Sequence, residues 1–154
     1  SIRPTSPSDK PGRYLLSVDL EYYADLPDSV ENSPLRVDVK RSGNTKTSSY
    51  EARISNTNST DVGMTVYEFM MPSCHDININ DLDNLLLRKS IDNYELRNNR
   101  SLVVFYWRGI KANSSVSFSF STNKRYGIND CKDRTHSVYL YYDKEGSISY
   151  FKPT

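Results

Sequence analysis

Ser115-Val116-Ser117-Phe118-Ser119-Phe120-Ser121 is the stretch that decides the fold of this chain. Apolar and polar side chains alternate strictly through it. Successive side chains of a β-strand point to opposite faces of a sheet, so this period of two predicts a strand. One face of that strand is buried, and the other presents a row of serines to solvent.

Other segments on both sides of this stretch carry strand signals. Met64–Met71 is apolar on both faces, apart from Thr65 and Glu68, which predicts a central strand. Leu102–Trp107 is a continuous apolar run, which predicts a strand buried on both faces. We expect a polar loop over residues 41–49 and a hairpin turn over residues 143–146. The remaining predicted strands are Tyr14–Tyr23, Leu35–Lys40, Tyr50–Asn56, Ser137–Tyr142 and Ser147–Phe151.

One short helix is predicted over residues 81–89. Asn80 is its expected N-cap, because an asparagine side chain can accept from the free N–H groups of the first turn. Leu82, Leu85 and Leu86 follow at the spacing of one helix face, so the helix must pack on a sheet. Charges match the helix dipole, which favours acids near the start and bases near the end. These residues are Asp81 and Asp83 at the start, and Arg88 and Lys89 at the end.

These elements predict an all-β fold. It is an antiparallel β-sandwich of seven or eight strands, with one short α-helix inserted in a loop. Of the four tyrosines at 139, 141, 142 and 150, we expect about half in the core and half exposed. Trp107, inside an apolar run, is expected in the core.

Composition excludes several functional classes. The chain has 154 residues, which predicts one domain, and its net charge is +1 without a long run of like charge. This balance argues against electrostatic binding of nucleic acid or an anionic membrane. No apolar stretch reaches the roughly 20 residues of a membrane-spanning helix. The chain starts without a methionine or a signal-peptide pattern, so we expect it to be part of a longer protein.

Two cysteines and three glycosylation sequons bear on cellular location. Cys74 and Cys131 fit either a disulfide in a secreted protein or two buried thiols in a cytosolic one. Asn58, Asn99 and Asn113 begin Asn-x-Ser/Thr motifs, which are glycosylation acceptors in the secretory pathway. These motifs also arise by chance in a chain this rich in Asn, Ser and Thr.

Catalytic and metal-binding motifs fit the sequence poorly. There is no Gly-x-Ser-x-Gly motif, and His75 and His136, near the two cysteines, are expected at the surface. Two cysteines and two scattered histidines do not have the spacing of a four-ligand zinc site. The segment from Asp76 to Asn80 begins like a calcium loop but lacks its required Gly and Glu, so a polar turn is the better interpretation. We expect no catalytic residue, no metal and no cofactor.

An ordered set of motifs resembles the C-terminal receptor-binding, macroglobulin-8-like domain of the α2-macroglobulin, complement and thioester-containing protein family. Each motif is weak alone, but their order and spacing over about 90 residues are specific. In chain order they are Gly63–Cys74, the helix Asp81–Lys89, Ile91–Leu96, the apolar strand Leu102–Trp107, Val138–Asp143 and Ser149–Phe151.

The resemblance implies a domain organisation and a function. Arg13–Tyr23 is similar to the closing strand of the CUB domain that precedes this module in the family. Residues 1–33 would then be a linker and that closing strand, and residues 34–154 the receptor-binding domain. The implied function is a non-catalytic module of a secreted, extracellular protein of innate immunity or protease trapping. Its implied partners are a protein or receptor, and the thioester and CUB domains of the parent protein.

The chain also departs from the family. α2-Macroglobulins of mammals carry two receptor-docking lysines on the helix, where this chain has Ile79 and Asp83. Arg88 and Lys89 are the basic residues left for a partner, although they also suit the helix dipole. A cysteine pair of some relatives is replaced by Arg53 and Val116, so a Cys74–Cys131 disulfide would substitute for it. The family's thioester motif, Gly-Cys-Gly-Glu-Gln, is not in this chain, and in the parent protein it would lie elsewhere. The alternative function is a structural or adhesive scaffold domain of an extracellular family member that lacks thioester chemistry, which the missing lysine pair favours.

Overall fold

A computed structural model describes residues 28–127 and 131–154 as a sandwich of two antiparallel sheets. The strand predicted over Tyr14–Tyr23 and its interpretation as a CUB closing strand lie outside these residues. One sheet has four strands and the other five, which confirms the predicted β-sandwich. The strands of the four-stranded sheet lie in the order β1 (Leu35–Gly43), β2 (Thr47–Asn56), β7 (Ser115–Lys124) and β4 (His75–Ile77). The strands of the five-stranded sheet lie in the order β5 (Asn93–Arg97), β6 (Leu102–Trp107), β3 (Thr65–Met70), β8 (His136–Leu140) and β9 (Ser149–Phe151).

Strand β7 contains the alternating serines and forms the middle of its sheet. It pairs with β2 on one side and with β4 on the other. Phe118 and Phe120 point into the sandwich and are buried, whereas Ser117 and Ser119 are exposed. The period of two thus predicted both the strand and the face that it buries.

Aromatic side chains from both sheets fill the space between the sheets. Phe105 of β6 is fully buried, and its ring centroid lies 5.0 Å from that of Phe118 and 5.2 Å from that of Phe120, both across the sandwich. Tyr67 of β3 stacks beside it at 5.7 Å. Burying one such side chain stabilises the fold by roughly 1.5–3 kcal/mol, so this cluster carries much of the stability.

The five-stranded sheet is buried on both faces near its centre. Val104 and Val66 point away from the sandwich, yet they are 0% and 1% exposed. Tyr106 and Tyr139 flank them and complete a second apolar cluster. This double burial confirms that β3 is a central strand and that Leu102–Trp107 is covered on both sides.

Helix α1 (Ile79–Leu87) packs its apolar face against β7. Leu82 and Leu85 are buried, as the helical spacing predicted. The N-cap prediction was wrong: the cap is Asn78, whose side chain accepts from the Asn80 backbone N–H, because residue 78 is extended whereas Asn80 lies in the first turn. The Asp81 carboxylate accepts from the Ser121 backbone N–H at 2.8 Å and so fastens the helix to β7. In the described residues, no helix is long and apolar enough to cross a membrane.

Turn geometry differs from prediction in two places. The prediction of a polar loop over residues 41–49 is wrong, because β1 extends to Gly43 and β2 begins at Thr47. Only a short turn separates the two strands. Gly43 has φ +146° there, and the Asn44 side chain accepts from the N–H groups of Lys46 and Thr47, which shortens the turn. Residues 143–146 do connect antiparallel strands, but they form a single-turn helix, α2 (Lys144–Ser147).

His136 is buried in the core, so its predicted position at the surface is wrong. Its Nδ1 lies 3.2 Å from the Tyr67 hydroxyl, and its ring packs against Phe69 and Phe151 at centroid distances of 4.5 and 5.7 Å. Burial lowers the pKa of His136 from 6.5 to about 4, because a charged imidazolium has lost its hydration there.

This depressed pKa predicts acid lability. Below pH 6.5 the unfolded chain binds a proton at residue 136 that the folded chain does not, so stability falls as the pH drops from 6.5 towards 4. The full difference in the pKa of His136 between the unfolded and folded chain corresponds to about 3 kcal/mol in the free energy of unfolding. Urea unfolding at a series of pH values should show this loss, and His136→Phe should remove most of the slope. An unchanged slope in that variant would assign the acid sensitivity to other groups.

Candidate functional site

The C-terminal end of helix α1 presents three consecutive exposed side chains, Leu87, Arg88 and Lys89, which we call the helix tip. Leu87 is 79% exposed although it is a large apolar residue. Arg88 caps the helix with its backbone N–H, and Lys89 has φ +57°, the left-handed conformation that often ends a helix. In the described part of the chain, neither cation takes part in an ion pair.

Contacts on both sides hold the helix tip in place. The Tyr94 hydroxyl of β5 donates to the Asp83 carboxylate at 2.8 Å. The Trp107 indole N–H donates to the Ser90 carbonyl at 2.9 Å, just beyond the tip. Trp107 is 4% exposed, which confirms its place in the core. Because neighbouring residues are anchored to the five-stranded sheet, the tip is a preorganised surface.

An open groove of about 450 Å³ runs between helix α1 and the exposed face of β2 and β7. Arg88 lines it from the helix side, and Glu51 faces it from β2. Its remaining polar lining is Ser49, Asp81, Asn84, Ser90, Ser117 and Ser119. The groove is open and polar, so it lacks the character of an enclosed, apolar ligand pocket.

Two of the four tyrosines form an exposed pair, and Tyr139 is buried. Tyr141 and Tyr142 are 51% and 86% exposed, with ring centroids 5.0 Å apart. The Tyr139 hydroxyl donates to the Glu68 carboxylate at 2.8 Å, and burial raises the pKa of Tyr139 well above its usual value. Tyr150 is half-buried. The expectation that half of the four tyrosines lie in the core is therefore met for Tyr139 but not for Tyr150, whereas Tyr141 and Tyr142 are exposed as expected.

The three sequon asparagines lie in exposed positions. Asn99 and Asn113 have φ +52° and +50° in turns, and the Asn113 N–H donates to the Asn58 carbonyl at 3.0 Å. Asn58 and Asn113 therefore lie side by side at one end of the sandwich, where β2 and β6 end. All three side chains are exposed, and glycosylation stays a prediction.

Cys74 and Cys131 form a disulfide. Cys74 is buried in the turn before β4, and Cys131 lies in the loop that leads to β8, with the two Cα atoms 5.2 Å apart. Since β4 and β8 belong to different sheets, the bond links the two layers of the sandwich. Both sulfurs are bonded to each other, so neither is a thiolate nucleophile.

His75 is buried beside this disulfide, so its predicted surface position is also wrong. Its Nδ1 lies 2.7 Å from the Thr122 hydroxyl of β7, and burial lowers its pKa. The neighbouring Asp76 carboxylate accepts two hydrogen bonds from Arg125, and Asn78 caps helix α1. These residues therefore have structural partners. The segment is not the predicted polar turn, because Asp76 lies in strand β4 and Asn80 in helix α1, with the cap Asn78 between these two elements. Sequence spacing alone gave no signal that His75 and Thr122 would meet.

Comparison with known families identifies the class of domain. The sequence profile of the A-macroglobulin receptor binding domain matches residues 60–151. The chain belongs to this family, whose domains are non-catalytic protein-binding modules. The match covers β3 to β9, helix α1 and the helix tip.

Other comparisons add little about function. No curated protein matches the chain. Among solved structures, it is similar to an inactive mutant of the GH20 exo-β-N-acetylglucosaminidase from Vibrio harveyi, with 13% sequence identity and a TM-score of 0.43. That similarity covers 79% of this chain and 18% of the glycosidase chain.

Proposed function

We propose that this domain is the receptor- or partner-binding module that ends a secreted protein of the thioester and α2-macroglobulin family, acting in innate immunity or protease trapping. The helix tip carries the proposal, because it places an exposed Leu87 beside Arg88 and Lys89 on an anchored helix. An apolar side chain flanked by cations suits a partner surface with an apolar pocket and an acidic rim.

Reversing the charge of the helix tip should weaken binding. The double variant Arg88→Glu, Lys89→Glu is expected to raise the Kd about tenfold or more, because two favourable charge contacts become repulsive. The measurement is saturable binding of the fluorescently labelled domain to the surface of cells from the source organism, competed by unlabelled domain.

A matched control separates this site from general electrostatics. Arg36→Glu with Lys40→Glu makes the same change in net charge on the exposed face of β1. This control should bind like the unmodified domain. Equal weakening by both double variants would contradict a specific role for the helix tip, as would unchanged binding of the helix-tip variant.

Extracellular location and domain organisation complete the proposal. The Cys74–Cys131 disulfide and the three exposed sequons support passage through the secretory pathway. We take residues 1–33 as the linker and closing strand of a preceding CUB domain, and residues 34–154 as the receptor-binding domain. The CUB and thioester domains of the parent protein would then be its intramolecular partners.

A structural or adhesive scaffold is the second candidate function. The position of one family receptor-docking lysine holds Asp83, whose carboxylate is engaged by the Tyr94 hydroxyl. The other position holds Ile79, which packs against the core. Sequencing the parent protein for Gly-Cys-Gly-Glu-Gln separates the two candidates: its presence favours the recognition module, and its absence favours the scaffold.

A further inference from the structure

Three potential metal ligands meet at the disulfide. The Sγ atoms of Cys74 and Cys131 and a ring nitrogen of His75 all lie within 4.8 Å of one another. Cys74 and His75 are buried, and Cys131 is partly exposed. While the disulfide is intact, the sulfurs are bonded to each other and have no thiolate to offer. We propose that reduction of this disulfide uncovers a Cys₂His site for a thiophilic divalent cation of the Zn²⁺ class.

Distances in the cluster suit tetrahedral coordination. Zn²⁺ binds thiolate at about 2.3 Å and imidazole at about 2.0–2.1 Å, so its ligand atoms lie about 3.5–3.8 Å apart. The Cα atoms of Cys74 and Cys131 are 5.2 Å apart, so side-chain rotation alone can separate the sulfurs to that distance. His75 is the first residue of β4 and follows Cys74 directly, so the two residues lie at the same end of that strand. No large backbone movement is required.

One hydrogen bond of His75 is of the kind that a metal-bound histidine makes. Such a histidine donates its other ring N–H to a nearby acceptor, which fixes the tautomer and the ring orientation. Here the buried Thr122 hydroxyl lies 2.7 Å from Nδ1. In the tautomer that carries its proton on Nδ1 and donates it to Thr122, Nε2 has the lone pair that would bind the cation. Because Cys131 is partly exposed, water would be the fourth ligand.

The chemical steps balance with a dithiol as reductant. Thiol–disulfide exchange transfers two electrons and two protons to Cys74 and Cys131, and the reductant leaves as a disulfide. Binding of the cation then releases the two thiol protons, because thiolate is the ligand. The site therefore exists in the reduced protein and is absent from the oxidised protein.

Cobalt(II) is the probe for this site, because thiolate coordination of cobalt gives a charge-transfer absorption. The whole chain is reduced with a dithiol, freed of reductant by anaerobic gel filtration and titrated with Co²⁺. We expect one equivalent to bind with a thiolate charge-transfer band, which Zn²⁺ then displaces. Circular dichroism of the reduced chain should show that its sheets persist. No absorption, equal absorption in the oxidised protein, or binding only by an unfolded reduced chain would overturn the proposal.

Two variants test the role of the histidine. His75→Gln removes the nitrogen ligand, and Thr122→Val removes the hydroxyl that orients it. Loss of such an outer partner lowers metal affinity about 10–100-fold. Thr65→Val is the matched control, since Thr65 is also a buried strand threonine with a local hydrogen bond, but lies outside the cluster. If His75→Gln and Thr122→Val bind Co²⁺ as tightly as Thr65→Val, the histidine is not a ligand and the proposal fails.

Discussion

Replacement of both cysteines, Cys74→Ala with Cys131→Ala, is expected to lower the free energy of unfolding by about 4 kcal/mol. The bond links residues 57 apart in sequence, and closing a loop of that size removes much conformational freedom from the unfolded chain. It also joins the turn before β4 to the loop before β8, and so ties one sheet to the other. Guanidinium unfolding of the two proteins under identical conditions measures the difference.

The control is a pair of substitutions of similar size on the solvent face. Ser117→Ala with Ser119→Ala should change the stability by no more than about 0.5 kcal/mol per site, because both side chains are exposed. If the cysteine variant loses less than about 1 kcal/mol, the disulfide contributes little to holding the layers together. The partly exposed loop at Cys131 would then be independent of the sandwich.

Phe105→Ala is expected to cost about 3–5 kcal/mol, the range for truncating a buried aromatic residue. Phe105 is fully buried, and its ring lies within 7 Å of the rings of Tyr67, Trp107, Phe118 and Phe120. Since these neighbours belong to both sheets, collapse around the cavity would require the sheets to approach each other. The unfilled cavity should therefore account for a large part of the lost free energy of unfolding.

Thermal and denaturant unfolding measure this loss. Tyr142→Ala removes an aromatic side chain of similar size that is 86% exposed, and it should stay within about 0.5 kcal/mol of the unmodified protein. Similar losses in the two variants would mean that the two sheets do not share one core. That result would contradict the sandwich as described.

Side-chain periodicity accounts for the long strands and for their burial. Val116, Phe118 and Phe120 alternate with serines, and β7 buries Phe118 and Phe120 against the core. Short elements gave weaker signals. Strand β4 has three residues, too few for a period, and exists because β7 offers it an edge to pair with. Strand β5 alternates Tyr94 and Leu96 with polar residues, and this pattern was present in the sequence but missed.

Features that depend on contacts between distant residues could not be read from the sequence. The two histidines carry a titratable group and stand in polar segments, so a surface position was expected. In the structure His136 lies against Tyr67 and His75 against Thr122, partners 69 and 47 residues away. Arg88 and Lys89 were marked in the sequence by their charge at the predicted end of the helix, whereas Leu87 was not, and their role in binding stays a prediction. The exposure of Leu87 and the hydrogen bonds that Tyr94 and Trp107 make beside the helix tip became visible only in the structure.

The central claim is that this chain is an extracellular recognition domain. It is tested most directly by the oxidation state of the two cysteines and the glycosylation of the three sequons in the native protein. Protein isolated from its natural source is alkylated under denaturing conditions, with and without prior reduction, and its peptides are mapped by mass spectrometry. We predict that Cys74 and Cys131 resist alkylation until reduced, and that glycan is found on at least one of Asn58, Asn99 and Asn113. Free thiols at both cysteines and unmodified asparagines at all three sequons would contradict the extracellular location and the function proposed from it.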